Sequence, residues 1–263
     1  MNHTADLTEY LLRLGDDALV AAQRVSEWIA SAPEMEEDMA LANIALDQLG
    51  AARLLLSYAG ELMTEAGQAP PAAGDGPVTE DTLAYLRDDR EFRNCLLVEL
   101  PNGDFAVTMA KMLFFSAYQR LLYERLANST DERLAGIASK ACKEAAYHLD
   151  HSAQWTIRLG DGTEESHRRM QAAVDEIWPY THELFLADEL TGRLAEAGVA
   201  VDPAALREAW LATVEPVLTE ATLQRPADGW RPAGGRTGLH TEHLSYLLGE
   251  MQVLHRAHPG ASW

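Results

Sequence analysis

Leu41-Ala-Asn-Ile-Ala-Leu-Asp-Gln-Leu-Gly-Ala-Ala-Arg53 is the stretch on which the fold is decided. With Met39 just ahead of it, Met39, Ala42, Leu46 and Leu49 recur at helical spacing and predict one apolar seam. Asn43, Asp47 and Gly50 recur beside that seam as a narrow small and polar stripe. The same period governs Lys143-Glu-Ala-Ala-Tyr-His148 and most of the remaining chain, and no strand alternation interrupts it. The expected class is all-α, a bundle of long helices with additional shorter ones.

Outward from that stretch, punctuation predicts the other elements. A first helix spans residues 4–31. Ser31-Ala-Pro-Glu34 reads as a capping box for the second, which runs to about Ala66. The Pro- and Gly-rich stretch Gly67 to Pro77 then stops it. Short helices are expected over 80–88 and 90–99. Asp104 caps a helix to about Ala127, and Ser129-Thr-Asp-Glu132 reads as a capping box for one to about Leu159. Thr163 opens a helix to about Glu196, kinked at Pro179. Asp202-Pro203 starts another, to about Leu223. A loop from Pro226 to Gly238 precedes the last, Thr241 to His258. Helices approaching thirty residues would be about 45 Å long, which favours an elongated bundle in one domain over 1–263. The helix after Asp104 is apolar on more than one face, with Met109, Met112, Leu113, Phe114, Phe115 and Tyr118. Such a helix is buried centrally or lies in an interface.

With 47% hydrophobic residues, 263 residues can bury a sizeable core. A net charge of -20 argues against nucleic-acid binding and against anionic membranes. It serves solubility, or complements a more basic partner. The two cysteines, Cys95 and Cys142, form no disulfide framework. A polar, acidic start and the lack of an uninterrupted apolar run of roughly 20 residues predict a cytoplasmic protein without a membrane span.

Four-helix carboxylate di-iron sites take one Glu from each of two helices and Glu-x-x-His from each of the other two. Here the comparable positions read Asp47-x-x-Gly50 and Ala145-x-x-His148, one without its imidazole and one without its carboxylate. Asp47 is then a ligand shortened by a methylene or a carboxylate paired with an Arg, and Gly50 admits a close helix. Glu144, His148 and His151 share a helix face at a spacing that a mononuclear metal could use. The intact Glu164-Glu-Ser-His167 sits at a helix start, where Glu suits the dipole. His240, His243, His255 and His258 lack a neighbouring carboxylate or Cys set. Arg87, Arg90 and Arg93 either pair within their helix with Asp88, Asp89 and Glu91, or, through Arg90-Glu91-Phe92-Arg93-Asn94, meet phosphates of an anionic ligand.

Five segments together carry a resemblance that spans nearly the whole chain: Arg13-Leu-Gly-Asp16, the stretch Leu41 to Arg53, Leu97-Val-Glu-Leu-Pro-Asn-Gly-Asp-Phe-Ala106, Lys143-Glu-Ala-Ala-Tyr-His-Leu149 and Gly234-Gly-Arg-Thr-Gly-Leu-His-Thr-Glu-His-Leu244. On these the chain resembles the structural subunits of bacterial phenylacetyl-CoA epoxidases, multicomponent ring 1,2-oxygenases of aerobic phenylacetate breakdown. The resemblance implies a ferritin-like fold and a tight complex with a homologous di-iron catalytic subunit. It also implies reducing equivalents from NADPH through a separate reductase, and phenylacetyl-CoA as the substrate of the complex. The expectation is a non-catalytic subunit with no catalytic residues, metal ligands or cofactor of its own, its CoA contact near Arg90, Glu91, Phe92, Arg93 and Asn94. The alternative is an autonomous di-iron oxidase with substituted ligands, drawn from Asp17, Asp47, Glu144 and His148.

Overall fold

Amphipathic stretches punctuated by Pro, Gly and acidic caps become ten α-helices in the computed structural model, which describes residues 3–68 and 76–261. No strand occurs among the described residues. The helices are α1 (His3–Ser26), α2 (Met35–Glu65), α3 (Glu80–Tyr85), α4 (Leu96–Glu99), α5 (Phe105–Leu126), α6 (Glu132–Gly160), α7 (Glu164–Ile177), α8 (Glu189–Glu196), α9 (Arg207–Glu220) and α10 (Glu242–Ala257). Most of the expected Gly67–Pro77 stop lies outside the described residues; Gly67 itself ends α2 at φ +65°. The chain gathers into two compact units, one of residues 1–28, 41–101 and 234–263, the other of 29–40 and 102–233.

In the first unit α1 is buried on nearly all sides from Leu7 to Ala22, polar Arg13, Asp16 and Asp17 included. Gly15 lets α2 approach it: a Cβ there would meet Leu56 Cγ at 2.9 Å. On α2 the buried face is Leu41, Ile44, Ala45, Gln48, Ala51, Ala52, Leu55 and Leu56. The expected seam is therefore corrected, because Met39, Leu46 and Leu49 are 64%, 63% and 46% exposed. Helix α2 has two apolar sides, and periodicity alone does not say which one the core takes. By length and composition α2 is also apolar enough to cross a membrane, although no uninterrupted apolar run announces it. Its apolarity is divided between the buried face and the outward one.

The second unit is built around α5, whose residues from Ala106 to Tyr118 are almost all buried, as its all-round apolarity predicts. It packs on α6, α7 and α9. Helices α6 and α5 approach through small residues, with Ser116 and Ser152 hydroxyls 3.4 Å apart. An aromatic cluster fills the other side. The Trp210 ring lies 5.8 Å from Phe114, 5.5 Å from Trp178 and 5.2 Å from Phe185, and its Nε1 donates to Phe114 O at 2.9 Å.

Caps at Asp104 and Thr163 stand where the sequence puts them. Others move. Ser31 caps nothing: α2 starts at Met35, and the Asp38 carboxylate reaches back to the Ala30 amide at 2.6 Å, where φ is +65°. Ser129 instead donates to Val199 O, and Asp131 caps α6 through the Leu134 amide. Pro179 does more than kink a helix. Lacking an N–H, it stands at the start of a 3-10 turn, Trp178–Phe185, that separates α7 from α8. Asp202 caps a short 3-10 turn, Pro203–Leu206, before α9. The expected helix over 90–99 is a 3-10 turn at Asp89–Glu91, extended backbone over 92–95, and then α4.

His182, 7% exposed, has its Nε2 3.5 Å from Asp228 Oδ1. Burial lowers its pKa, the cations Arg231, Arg207 and Arg225 add to this, and Asp228 opposes it. The unfolded chain therefore binds the proton first as pH falls, so His182 costs stability below about pH 6.5 and down through its lowered folded value. Thermal unfolding followed between about pH 7.5 and 5.5 is expected to show a smaller fall for His182→Gln than for the unaltered chain. Equal slopes would disprove this assignment.

Candidate functional site

The degenerate motif positions lie on α2 and α6. Asp47 and Gly50 are half-buried on the flank of α2 between its buried face and its outward stripe, and Asn43 is exposed. Ala145 and His148 are buried in α6. Glu144 is held by Lys140 Nζ at 2.7 Å. His151, grouped with Glu144 and His148 by spacing, turns to α2 instead, its Nε2 2.8 Å from Glu37 Oε2. Among the described residues no group of three or more His, Cys, Asp or Glu side chains could hold a metal ion. Gly50 and Ala145 bring no donor atom at all, so this donor set does not fit a resident di-iron pair.

Three of the other histidines, His167, His255 and His240, have structural partners. His167 Nδ1 lies 2.7 Å from Gly160 O, closing the end of α6, while Glu164 is exposed. His255 stacks on Tyr85 at 4.8 Å. His240 is the centre of a network that the spacing did not reveal. Its Nδ1 is 2.7 Å from Glu99 Oε2 and its Nε2 3.0 Å from Phe92 O. Both neighbours accept, so the pair needs two hydrogens, one on Nε2 and one between Nδ1 and the carboxylate. Glu99, fully buried, also accepts from Asn94 Nδ2 at 2.8 Å and from the Thr241 amide at 2.6 Å. That last bond anchors the start of α10.

Two further buried carboxylates hold the stretch 87–95 against α1. Asp16 takes both terminal guanidinium nitrogens of Arg87, one at 3.0 Å, and accepts from the Arg93 amide at 2.8 Å. Asp17 takes Arg236 Nη1 and Nη2 at 2.9 and 2.8 Å and the Cys95 amide at 2.7 Å. The backbone over 92–95 is extended because it must present these amides to carboxylates taken out of water. Gly235 and Gly238 allow the Gly234–Gly238 turn to lie on that segment. A Cβ on Gly235 would fall 2.1 Å from Asn94 O, and one on Gly238, at φ +77°, 2.2 Å from Arg90 O.

The intrahelical pairing expected for Arg87 and Arg93 is thereby corrected: Arg87 serves Asp16 and Arg93 Nε serves Glu9 at 3.1 Å. Burial pushes the Glu9 carboxyl up, opposed by Arg93 and Arg13. Of the five candidate CoA contacts, Phe92 and Asn94 are fully buried, and Phe92 lies under the Arg87 guanidinium at 4.3 Å. Arg93 is half-buried, and Arg90 and Glu91 are exposed. Glu91 accepts from the Asp88 amide at 2.8 Å. Asp17, a candidate substitute ligand, is saturated by Arg236. Asp16, Glu99 and Arg236 escaped sequence reasoning because their partners are remote in the chain.

Among the large apolar side chains left outward are those along one side of α2. Met35 is 77% exposed, and Met39, Leu46 and Leu49 follow at one-turn and two-turn spacing on the same side.

The sequence model of the family described as "Phenylacetic acid catabolic protein" matches residues 1–263. Over 257 residues the chain is 52% identical to one of the subunits of the 1,2-phenylacetyl-CoA epoxidase of Escherichia coli (strain K12), covering 98% of this chain and 99% of that one.

Proposed function

The chain belongs to the phenylacetic acid catabolic protein family, and from that footing we propose that it is the non-catalytic structural subunit of a multicomponent phenylacetyl-CoA 1,2-epoxidase. Its role is to bind and order a homologous subunit that holds the di-iron centre. Reducing equivalents from NADPH reach that subunit through a separate reductase, in the cytoplasm. The observation that carries this reading is the donor set. Where a di-iron helix pair needs Glu-x-x-His twice, this chain supplies Gly50 and Ala145, while Glu144 is engaged by Lys140.

The outward side of α2 supports a docking role. Four large apolar side chains on one helix face leave more apolar surface in water than scattered exposure requires, and such faces mark protein contacts. Within 90–94, the contact with CoA phosphates is assigned to the exposed Arg90, since Phe92 and Asn94 are buried, Arg93 pairs with Glu9, and the exposed Glu91 is itself an anion.

The reading is tested by purifying the chain alone and with its di-iron partner. Iron is expected to follow the partner, and stoichiometric iron with oxidase activity in the lone chain would sink the proposal. Leu46→Asp/Leu49→Asp places two charges in the proposed contact and is expected to weaken association about 100-fold or more. Thermal unfolding of the lone variant should be unchanged, because both positions face solvent in the free chain.

A further inference from the structure

In the second unit Asp228 stands among cations. Arg207 Nη2 lies 2.9 Å from its Oδ2, Arg225 Nη2 3.4 Å from its Oδ1 and Arg231 Nη2 3.7 Å from its Oδ2. Glu215 adds a second carboxylate, 3.4 Å from Arg225. Three guanidinium groups therefore face two carboxylates, in a chain with 41 acidic and 21 basic residues. Arg231 is the least committed of the three. At 3.7 Å it meets Asp228 by charge without a hydrogen bond, and its side chain is 58% exposed. Next to it Trp230 is 68% exposed, packed edge-to-face on Tyr180 at 5.7 Å. Among the described residues the Trp230 indole N–H has no hydrogen-bond partner. Open surface that combines Arg with Trp and Tyr has the composition of the residues that dominate protein contacts.

Uncommitted donors, surplus positive charge and an exposed ring together select a carboxylate acceptor. We propose that Trp230, Arg231 and the cations around Asp228 dock an acidic segment of another protein component of the oxygenase, a second contact made by residues other than those of the α2 side. The proposal rests on the reading of this chain as a subunit, and two observations favour a protein over other anions. Trp230 and Arg231 stand on open surface, where a small ligand would stay largely in water, whereas small-ligand sites are concave and bury most of the ligand. An extended polyanion, such as a nucleic acid or an anionic bilayer, meets the field of the whole chain and its net charge of -20. One or two carboxylates of a folded partner meet chiefly the charges within a Debye length, about 8 Å at physiological salt.

The experiment measures the dissociation constants of the full chain for the di-iron subunit and for the reductase, each at low and high salt. Trp230→Ala/Arg231→Gln is expected to bind one of them about tenfold more weakly at low salt. Arg231→Gln alone should lose part of that affinity and part of its salt dependence. Arg125→Gln removes an exposed cation elsewhere on the same unit and should bind as the unaltered chain does. Wild-type affinity for both components in the double variant overturns the proposal; with association still lost in Leu46→Asp/Leu49→Asp, it leaves the docking side of α2 standing. An equal loss in Arg125→Gln also overturns it, because net charge rather than this patch then sets the affinity. Binding of inorganic pyrophosphate that Arg231→Gln abolishes, with both proteins bound normally, overturns it in favour of a small-anion site. If the unaltered chain binds neither component, the subunit reading fails and this proposal with it.

Discussion

Asp16→Ala is expected to destabilise the chain by about 3–5 kcal/mol, read as a lowered midpoint in thermal or urea unfolding. Asp16 and Arg87 are 0% and 5% exposed at their side chains and bond through both terminal guanidinium nitrogens. Removing the carboxylate leaves a guanidinium in the interior with no anion beside it, only Leu83 O at 2.5 Å, Glu91 O at 3.0 Å and the face of the Phe92 ring to share its charge. An unpaired buried cation is the larger part of that cost, and the lost attraction is the smaller. The Arg93 amide loses its acceptor as well, which adds about 1–3 kcal/mol of desolvation if water does not replace it. Asp16→Asn keeps one acceptor oxygen and is expected to cost roughly half as much. A loss under about 1 kcal/mol for Asp16→Ala would show that the pair contributes specificity rather than stability.

Trp210→Ala is the second large effect, about 3–5 kcal/mol, in the other unit. The Trp210 side chain is 1% exposed and touches Phe114, Trp178 and Phe185 at ring distances of 5.2–5.8 Å. Deletion removes the transfer term of a large aromatic and leaves a hole that the stiff 3-10 turn carrying Trp178 and Phe185 cannot close. It also strands Phe114 O, which now accepts from Nε1 at 2.9 Å. Trp210→Phe retains most of the volume and is expected to recover more than half of the loss. If Trp210→Ala and Trp210→Phe unfold at the same midpoint, the cost lies in the hydrogen bond and the packing account is wrong. Neither change reaches the outward side of α2, so each should leave affinity for the partner unaltered wherever the chain stays folded.

Some of this was legible from residues alone. Helices, the Asp104 and Thr163 caps and the central burial of α5 follow from period, side-chain length and local donors, which operate within four residues of one another. The failure of Asp47-x-x-Gly50 and Ala145-x-x-His148 to offer a donor set is likewise a matter of composition. The misplaced caps at Ser31 and Ser129 show where local reasoning stops: α2 starts only at Met35, and Asp131 caps α6 while the Ser129 hydroxyl turns to Val199 O, remote in the chain.

By itself, then, the sequence determined a helical chain in which two helices read Asp47-x-x-Gly50 and Ala145-x-x-His148. Which of the two apolar sides of α2 is buried was decided only by tertiary structure, because a 3.6-residue period gives relative angles and no direction toward the core. The same holds for the stretch 92–95. Its helical pattern yields to extended backbone because Asp16 and Asp17, 77 and 78 residues away, need its amides. Glu99 and His240 meet across 141 residues for the same reason. Burying a carboxylate demands donors from wherever the chain can bring them, and that demand is absent from any local window.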